Sequence, residues 1–190
     1  GANSDMFRYS VNIMDGLDIY ASYSPSDGTA AIESSSSYGV QYTGVEGLTF
    51  GIAQGDNNEK VAVTHGLATS SAAGAEIENT SMFVKYAFDS FTVGIQDNES
   101  DSATANADQE YRGYGISYAV NEDLSVSYAV GTVDFELANS SDQETTSVGL
   151  SYTSGGITVS GSMHDGENLG GSAATTADKQ AYELNIAFAF

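Results

Sequence analysis

His164 and Asp165 are neighbours in the chain, and an imidazole beside a carboxylate is the minimum equipment for moving a proton. The pair falls where a run of alternating residues gives way to a long polar segment. Hydrolysis would need a nucleophile or a second acid, and no serine or aspartate motif accompanies the pair in sequence, so it reads as a rim histidine and no enzyme is expected. His65 has no partner nearby in sequence. Asp97, Glu99, Asp101 and Asp108 occupy the first, third, fifth and twelfth places of a calcium-loop spacing. Ser102 stands where the sharp turn of such a loop needs glycine, and no helix pattern flanks it. These carboxylates read as a solvated acidic rim that holds divalent cations loosely at most. Cysteine is absent, which removes disulfides and thiolate metal sites. No cofactor is expected.

Charge excludes two classes of partner. Five Lys+Arg against 26 Asp+Glu give a formal net charge of -21. Nucleic-acid binding depends on neutralising phosphates with basic side chains, and docking on anionic lipid depends on a polybasic face; neither is available. The chain is not a solvated tail either, with 41% hydrophobic and 11% aromatic residues. No apolar run approaches the ~18 residues of a spanning helix. The N-terminal GANSDMF lacks the basic and apolar regions of a signal peptide.

The elements that must position these residues show a period of two. In the terminal YELNIAFAF, Tyr182, Leu184, Ile186, Phe188 and Phe190 alternate with Glu183, Asn185, Ala187 and Ala189. That period places the two sets on opposite faces of a strand. It recurs as Phe7, Tyr9, Val11 and Ile13; Leu17, Ile19, Ala21 and Tyr23; Tyr38, Val40 and Tyr42; and Leu48, Phe50 and Ile52. Met82 to Phe88, Phe91 to Ile95, Tyr114 to Val120, Leu124 to Val130, Val148 to Tyr152 and Ile157 to Met163 continue it, and the terminal strand makes eleven. The intervening residues are small or polar almost throughout.

Connections decide between a soluble sandwich and a membrane wall. Turns of two to four residues alternate with long polar segments near Pro25–Ser34, Gln54–Glu78, Asp97–Gln109, Asp134–Glu144 and Asp165–Gln180. Short turns at one rim and long loops at the other are the habit of outer-membrane barrels. Tyr42, Phe88, Phe91, Tyr118, Tyr152 and Phe190 fall beside short turns or the terminus, where an interfacial girdle belongs. The expected fold is all-β: an antiparallel transmembrane β-barrel wall, residues 1–190 forming a single domain. Eleven is odd, whereas bacterial single-chain barrels use an even number of strands, and open edges are forbidden in lipid. The chain is therefore expected to be the C-terminal part of a longer barrel.

Three stretches resemble the general diffusion porins of Gram-negative bacteria, a sixteen-stranded trimeric family. They are ANSDMFRYSVN with GLDIYASYSP, SVGLSYTSGGITVSGSM, and YELNIAFAF. The first resembles the segment that follows the constriction loop, so the resemblance implies that this chain begins just after that loop. It also implies a homotrimer, contact with outer-membrane lipid and lipopolysaccharide, long loops facing the cell exterior, and an insertion signal formed by Tyr182, Leu184, Ile186, Phe188 and Phe190. In the family a basic residue on the strand after the constriction loop helps make a transverse field, which nominates Arg8.

Parity supplies the other site candidates. Arg8 shares a face with Met6, Ser10 and Asn12; its simpler role is to neutralise Asp18 or another lumen carboxylate. Lys85 and Glu183 also point inward, and these four are the pore-lining candidates. Arg112 shares the outward face of Tyr114 near the long-loop rim; it either holds a lipopolysaccharide phosphate or snorkels to water. Small polar inner faces leave an aqueous pore, so passive diffusion of ions and small hydrophilic solutes is the expected function. The alternative is a structural or adhesive surface barrel without an open pore. Since the implied signal ends on Phe190, replacing Phe190 by Asp is expected to leave the protein in the periplasm. Cell fractionation with heat-modifiable mobility on gels checks this, and normal outer-membrane trimers from the variant would refute it.

Overall fold

The computed structural model describes residues 6–26, 32–59 and 76–188. Eleven antiparallel strands form one sheet in chain order, each hydrogen-bonded to the next. They are β1 Phe7–Met14, β2 Leu17–Ser24, β3 Ile32–Val45, β4 Leu48–Glu59, β5 Glu76–Phe88, β6 Phe91–Ser102, β7 Gln109–Ala119, β8 Leu124–Phe135, β9 Gln143–Ser154, β10 Ile157–Glu167 and β11 Lys179–Phe188. Two short 3-10 turns, Leu169–Gly171 and Thr175–Ala177, lie between β10 and β11. The sheet is open, with β1 and β11 at its ends. It is an antiparallel β-barrel wall.

No soluble core exists to hold this sheet. Among the described residues the buried apolar side chains are Ile77 and Ala107. The large apolar residues of the alternating pattern are instead exposed: Leu150 at 51%, Tyr128 at 48% and Val148 at 45%. Register aligns them in rows across the sheet. Tyr114 pairs with Val130 and Ile95, Tyr128 with Ile116 and Val148, and Val159 with Tyr152 and Ile186. A continuous apolar face of this extent is stable only against hydrocarbon.

Short turns follow their local chemistry. Gly16 and Gly47 carry φ of 76° and 75°, in the left-handed region that costs glycine nothing. Gly16 O also accepts the amide of Thr43 at 2.6 Å, and a Cβ at Gly16 would run into the backbone of Gly44. Between β7 and β8, Asn121 Oδ1 accepts the amides of Asp123 and Leu124 at 2.9 and 2.8 Å, which closes that turn. Beside these turns the outward aromatics meet as rows. Tyr86–Phe88, Phe88–Phe91 and Phe91–Tyr118 have ring centroids 5.5, 5.7 and 4.6 Å apart, and Tyr42–Phe50 stand at 5.6 Å. The interfacial girdle expected at the short-turn rim is present, except Phe190, which lies outside the described residues.

Two sequence expectations need correction. The long polar segments are not all loop: Gln54–Glu59, Asp97–Ser102 and Asp165–Glu167 extend β4, β6 and β10. Backbone pairing continues past the lipid, where the outer face meets water and apolar alternation is no longer required. In β1 the alternation Phe7, Tyr9, Val11 does not run through to Ile13. The register slips between Asn12 and Met14, so Met14 rather than Ile13 pairs with Leu17. A bulge adds one residue before the Asp15–Gly16 turn and re-aims the side chain after it.

Lipid-facing and inward-facing substitutions at one level should therefore differ. Val148 is central in β9 and outward, whereas Ser127 on β8 lies opposite Gly149 on the polar face. Val148→Arg should cost about 2–4 kcal/mol near the midplane and Ser127→Arg little. Unfolding from lipid vesicles in denaturant reads both, and equal losses would mean that the faces are reversed.

Candidate functional site

The polar face carries several hollows. One of about 320 Å³ involves Arg8, Tyr20, Ser22, Ser37, Gln41 and Phe83; another of about 340 Å³ involves Lys85, Gln96, Tyr111, Thr145 and Ser147. A row along this face reads Ser127, Gly149, Ser162 and Glu183 by register, and another reads Ala129, Ser147, His164 and Ala181. Small side chains let the sheet curve toward this side and leave its concavity to water.

Charge is sparse on this face. Among the strand residues of this parity whose side chains are described, Arg8, Lys85 and Lys179 are cationic and Asp18 and Glu183 anionic. The carboxylates responsible for the net charge stand elsewhere. Asp56, Glu78, Asp97, Glu99, Asp101, Glu110, Asp134, Glu144, Asp165 and Glu167 all share the parity of the apolar face, at its long-loop end. The acidic rim is thus largely a belt on the outside of the wall. This corrects the calcium-loop spacing too: Asp97, Glu99 and Asp101 are alternate residues of β6, and Asp108 Oδ1 accepts the amide of Ser102 at 2.7 Å. A strand cannot wrap three ligands around one ion. Among the described residues no three carboxylates or imidazoles converge on a point.

The pore-lining candidates are dispersed. Arg8 is opposite Ser22, which is opposite Ser37. Asp18 accepts the side-chain amide of its cross-strand partner Asn12 at 3.1 Å, in place of the pairing with Arg8 considered from sequence. Lys85 lies between Thr49 and Gly94, and Glu183 opposite Ser162 on the edge strand. Arg112 is outward, as parity implies, and engages two carboxylates: Asp97 at 3.1 Å from Nε, and Glu110, which takes Nη2. Arg112 is exposed in both pairs, so water screens them. Tyr182, Leu184, Ile186 and Phe188 share the outward face of β11, at 71%, 73%, 56% and 59% exposure.

His164 and Asp165 part company. Strand parity sends His164 to the polar face, while outward Asp165 accepts from Gln180 Nε2 at 2.6 Å. Sequence reading missed the actual neighbours of His164. Its Nδ1 meets Ser147 Oγ at 2.7 Å and its Nε2 meets Ser162 Oγ at 2.9 Å. Ser162 was visible as a same-face residue two positions away; Ser147 is seventeen positions off and needs the register. Both ring nitrogens are occupied by hydroxyls and the carboxylate is on the far side, so no charge relay is assembled here. His65 lies outside the described residues.

Two inward aromatics lie flat against the wall. Cβ positions built at Gly113 and Gly131 fall within 2.6–3.1 Å and 2.9–3.0 Å of the Tyr111 ring, and one at Gly51 within 2.6–3.3 Å of Phe83. Gly51, Gly113 and Gly131 are buried beneath these rings. Any larger residue there would lift the ring into the lumen.

No curated protein sequence matches the chain. Its fold is similar to the anion-selective porin from Comamonas acidovorans, with a TM-score of 0.74 at 13% identity, over 98% of this chain and 59% of that one. It is similar to the trimer form of OmpT, an outer membrane protein of Vibrio cholerae, with a TM-score of 0.68 at 16% identity, over 96% and 64%. A porin refined at 1.8 Å gives 0.65 at 15% identity, over 97% and 60%. The chain thus spans about three fifths of the length of these structures. A sequence model of the Gram-negative porins matches residues 1–160, more than half of the chain, and the protein belongs to that family.

Proposed function

We propose that the protein forms wall of a water-filled channel in the bacterial outer membrane, through which ions and small hydrophilic solutes diffuse. The observation that carries this reading is the division of one sheet into an exposed apolar face and a concave face of Ser, Thr, Gly, Asn and Gln. Among the described residues of the concave face no nucleophile, base and carboxylate come together, and a passive route needs only water, width and weak charge. Further strands of the same barrel would pair with β1 and β11, whose edges hydrocarbon cannot satisfy. Family membership and the trimer form of the Vibrio cholerae protein support a homotrimer.

The outward acidic belt lies where the wall would leave the lipid at the long-loop rim. There it would face lipopolysaccharide phosphates across loosely held divalent cations, and Arg112 would sit among its own carboxylates within that layer. The long connections would face the cell exterior. The final aromatic strand would serve the insertion machinery.

Selectivity follows from where the charges stand. Among the described side chains the inward face offers three cations against two anions, but the outer belt is strongly acidic. Cations should be enriched at the mouth, weakly, because exposed charges are screened over about 8 Å at physiological ionic strength. Reversal potentials across a planar bilayer under a KCl gradient should show a mild cation preference that shrinks with salt. Arg8→Ala should increase that preference. A silent bilayer would favour the structural or adhesive reading; an anion-selective parent, or an Arg8→Ala variant indistinguishable from it, would mean that other strands set selectivity.

A further inference from the structure

The polar face between β5 and β9 carries more than a plain wall needs. A hollow of about 440 Å³ has Asn79, Asn98, Gln109, Tyr111, Phe135 and Gln143 among its lining residues; Glu99, its one charged lining residue, has the outward parity of β6. That lies within the range of small-molecule sites. Phe135 stands opposite Gln109, two residues from Tyr111 on the same face, so the two rings are diagonal neighbours. Tyr111 lies against Gly113 and Gly131, which directs its free ring face toward the lumen. Two of the four amides are held in place. Asn98 Oδ1 accepts from Ser81 Oγ at 2.5 Å and from Gln96 Nε2 at 3.2 Å, and Gln143 Oε1 accepts the amide of Gly170 at 3.0 Å.

What is missing here selects the ligand. Among the described residues of this face from β6 to β9 there is no Asp, Glu, Lys or Arg. An anion would find no counter-charge, a cation would meet only Glu99, whose strand parity is outward, and a purely apolar solute would leave the ring of amides unpaired. A pyranose fits both features. Its axial C–H groups lie well on the electron-rich face of an aromatic ring, and its hydroxyls donate and accept, as side-chain amides do.

We propose that this face is a binding site for neutral saccharides of one or two rings, with a pyranose on Tyr111 and Phe135 and its hydroxyls on Asn79, Asn98, Gln109 and Gln143. It rests on the channel reading for how sugar reaches the wall; binding itself needs no open pore. Calorimetric titration of the detergent-solubilised full-length protein with maltose tests it, with a polyethylene glycol of matching size as control. Saturable heat is expected with maltose and none with the glycol. Tyr111→Ala should weaken the maltose constant about tenfold, Tyr111→Phe should leave it within about twofold, and Asn98→Ala should weaken it severalfold if Tyr111→Ala fails to assemble. No saturable heat with maltose, equal heat with the glycol, or unchanged affinity in the assembled Tyr111→Ala or Asn98→Ala variant would overturn the site. Bilayer conductance of the same protein separates the two readings. Maltose should reduce the current saturably, and silence with intact maltose heat would sink the channel and leave the site.

Discussion

Everything in this molecule depends on one constraint: a backbone N–H or C=O in hydrocarbon has no water to fall back on and must be paired within the protein. Eleven strands in chain order meet that demand with a ladder in which each strand pairs only with its sequence neighbours. Nearest-neighbour pairing explains the tight turns, since Asp15–Gly16, Glu46–Gly47 and Gly155–Gly156 need only reverse the chain onto the adjacent strand. It also explains why so little is buried. Side chains are not asked to make a core, only to suit two different solvents.

That double requirement distributes the charge. Within the lipid span the outward positions are Val, Leu, Ile, Tyr and Phe, and the inward positions small and polar. Beyond the lipid the same outward parity becomes Asp and Glu, as in β6, where Ile95 is followed by Asp97, Glu99 and Asp101. One strand thus records its own depth. The consequence for function is that a chain of net charge -21 presents a nearly neutral inner wall. The described carboxylates gather instead at the long-loop ends of the strands, on the outward parity.

The inner wall is not featureless, and glycine is the reason. Where Gly113 and Gly131 leave out side chains, Tyr111 can lie down; where Gly51 does, Phe83 can. A ring held flat narrows the lumen less than one standing upright, and it exposes a face rather than an edge. Such rings beside clustered amides turn a stretch of wall into a surface with chemical preference, without any group that reacts.

The sequence by itself determined the period of two, the number of strands, the places of the short turns and the faces of the residues within the apolar alternation up to the bulge in β1, because lipid and water impose that alternation residue by residue. Arg112 outward and Lys85 inward followed from parity alone. What only the tertiary structure decided are the matters that depend on register and on the water-exposed ends. Strands β4, β6 and β10 run on beyond the apolar alternation, since hydrogen bonding needs a neighbour and not a lipid. The bulge before Met14 shifts one side chain, because a local insertion leaves no compositional trace. The meeting of His164 with Ser147, the pairing of Arg112 with Asp97, and the cover of Gly131 by Tyr111 are cross-strand facts. Each joins residues whose separation in the chain is set by the lengths of two strands and the turn between them. No motif encodes that sum; the hydrogen-bond ladder does.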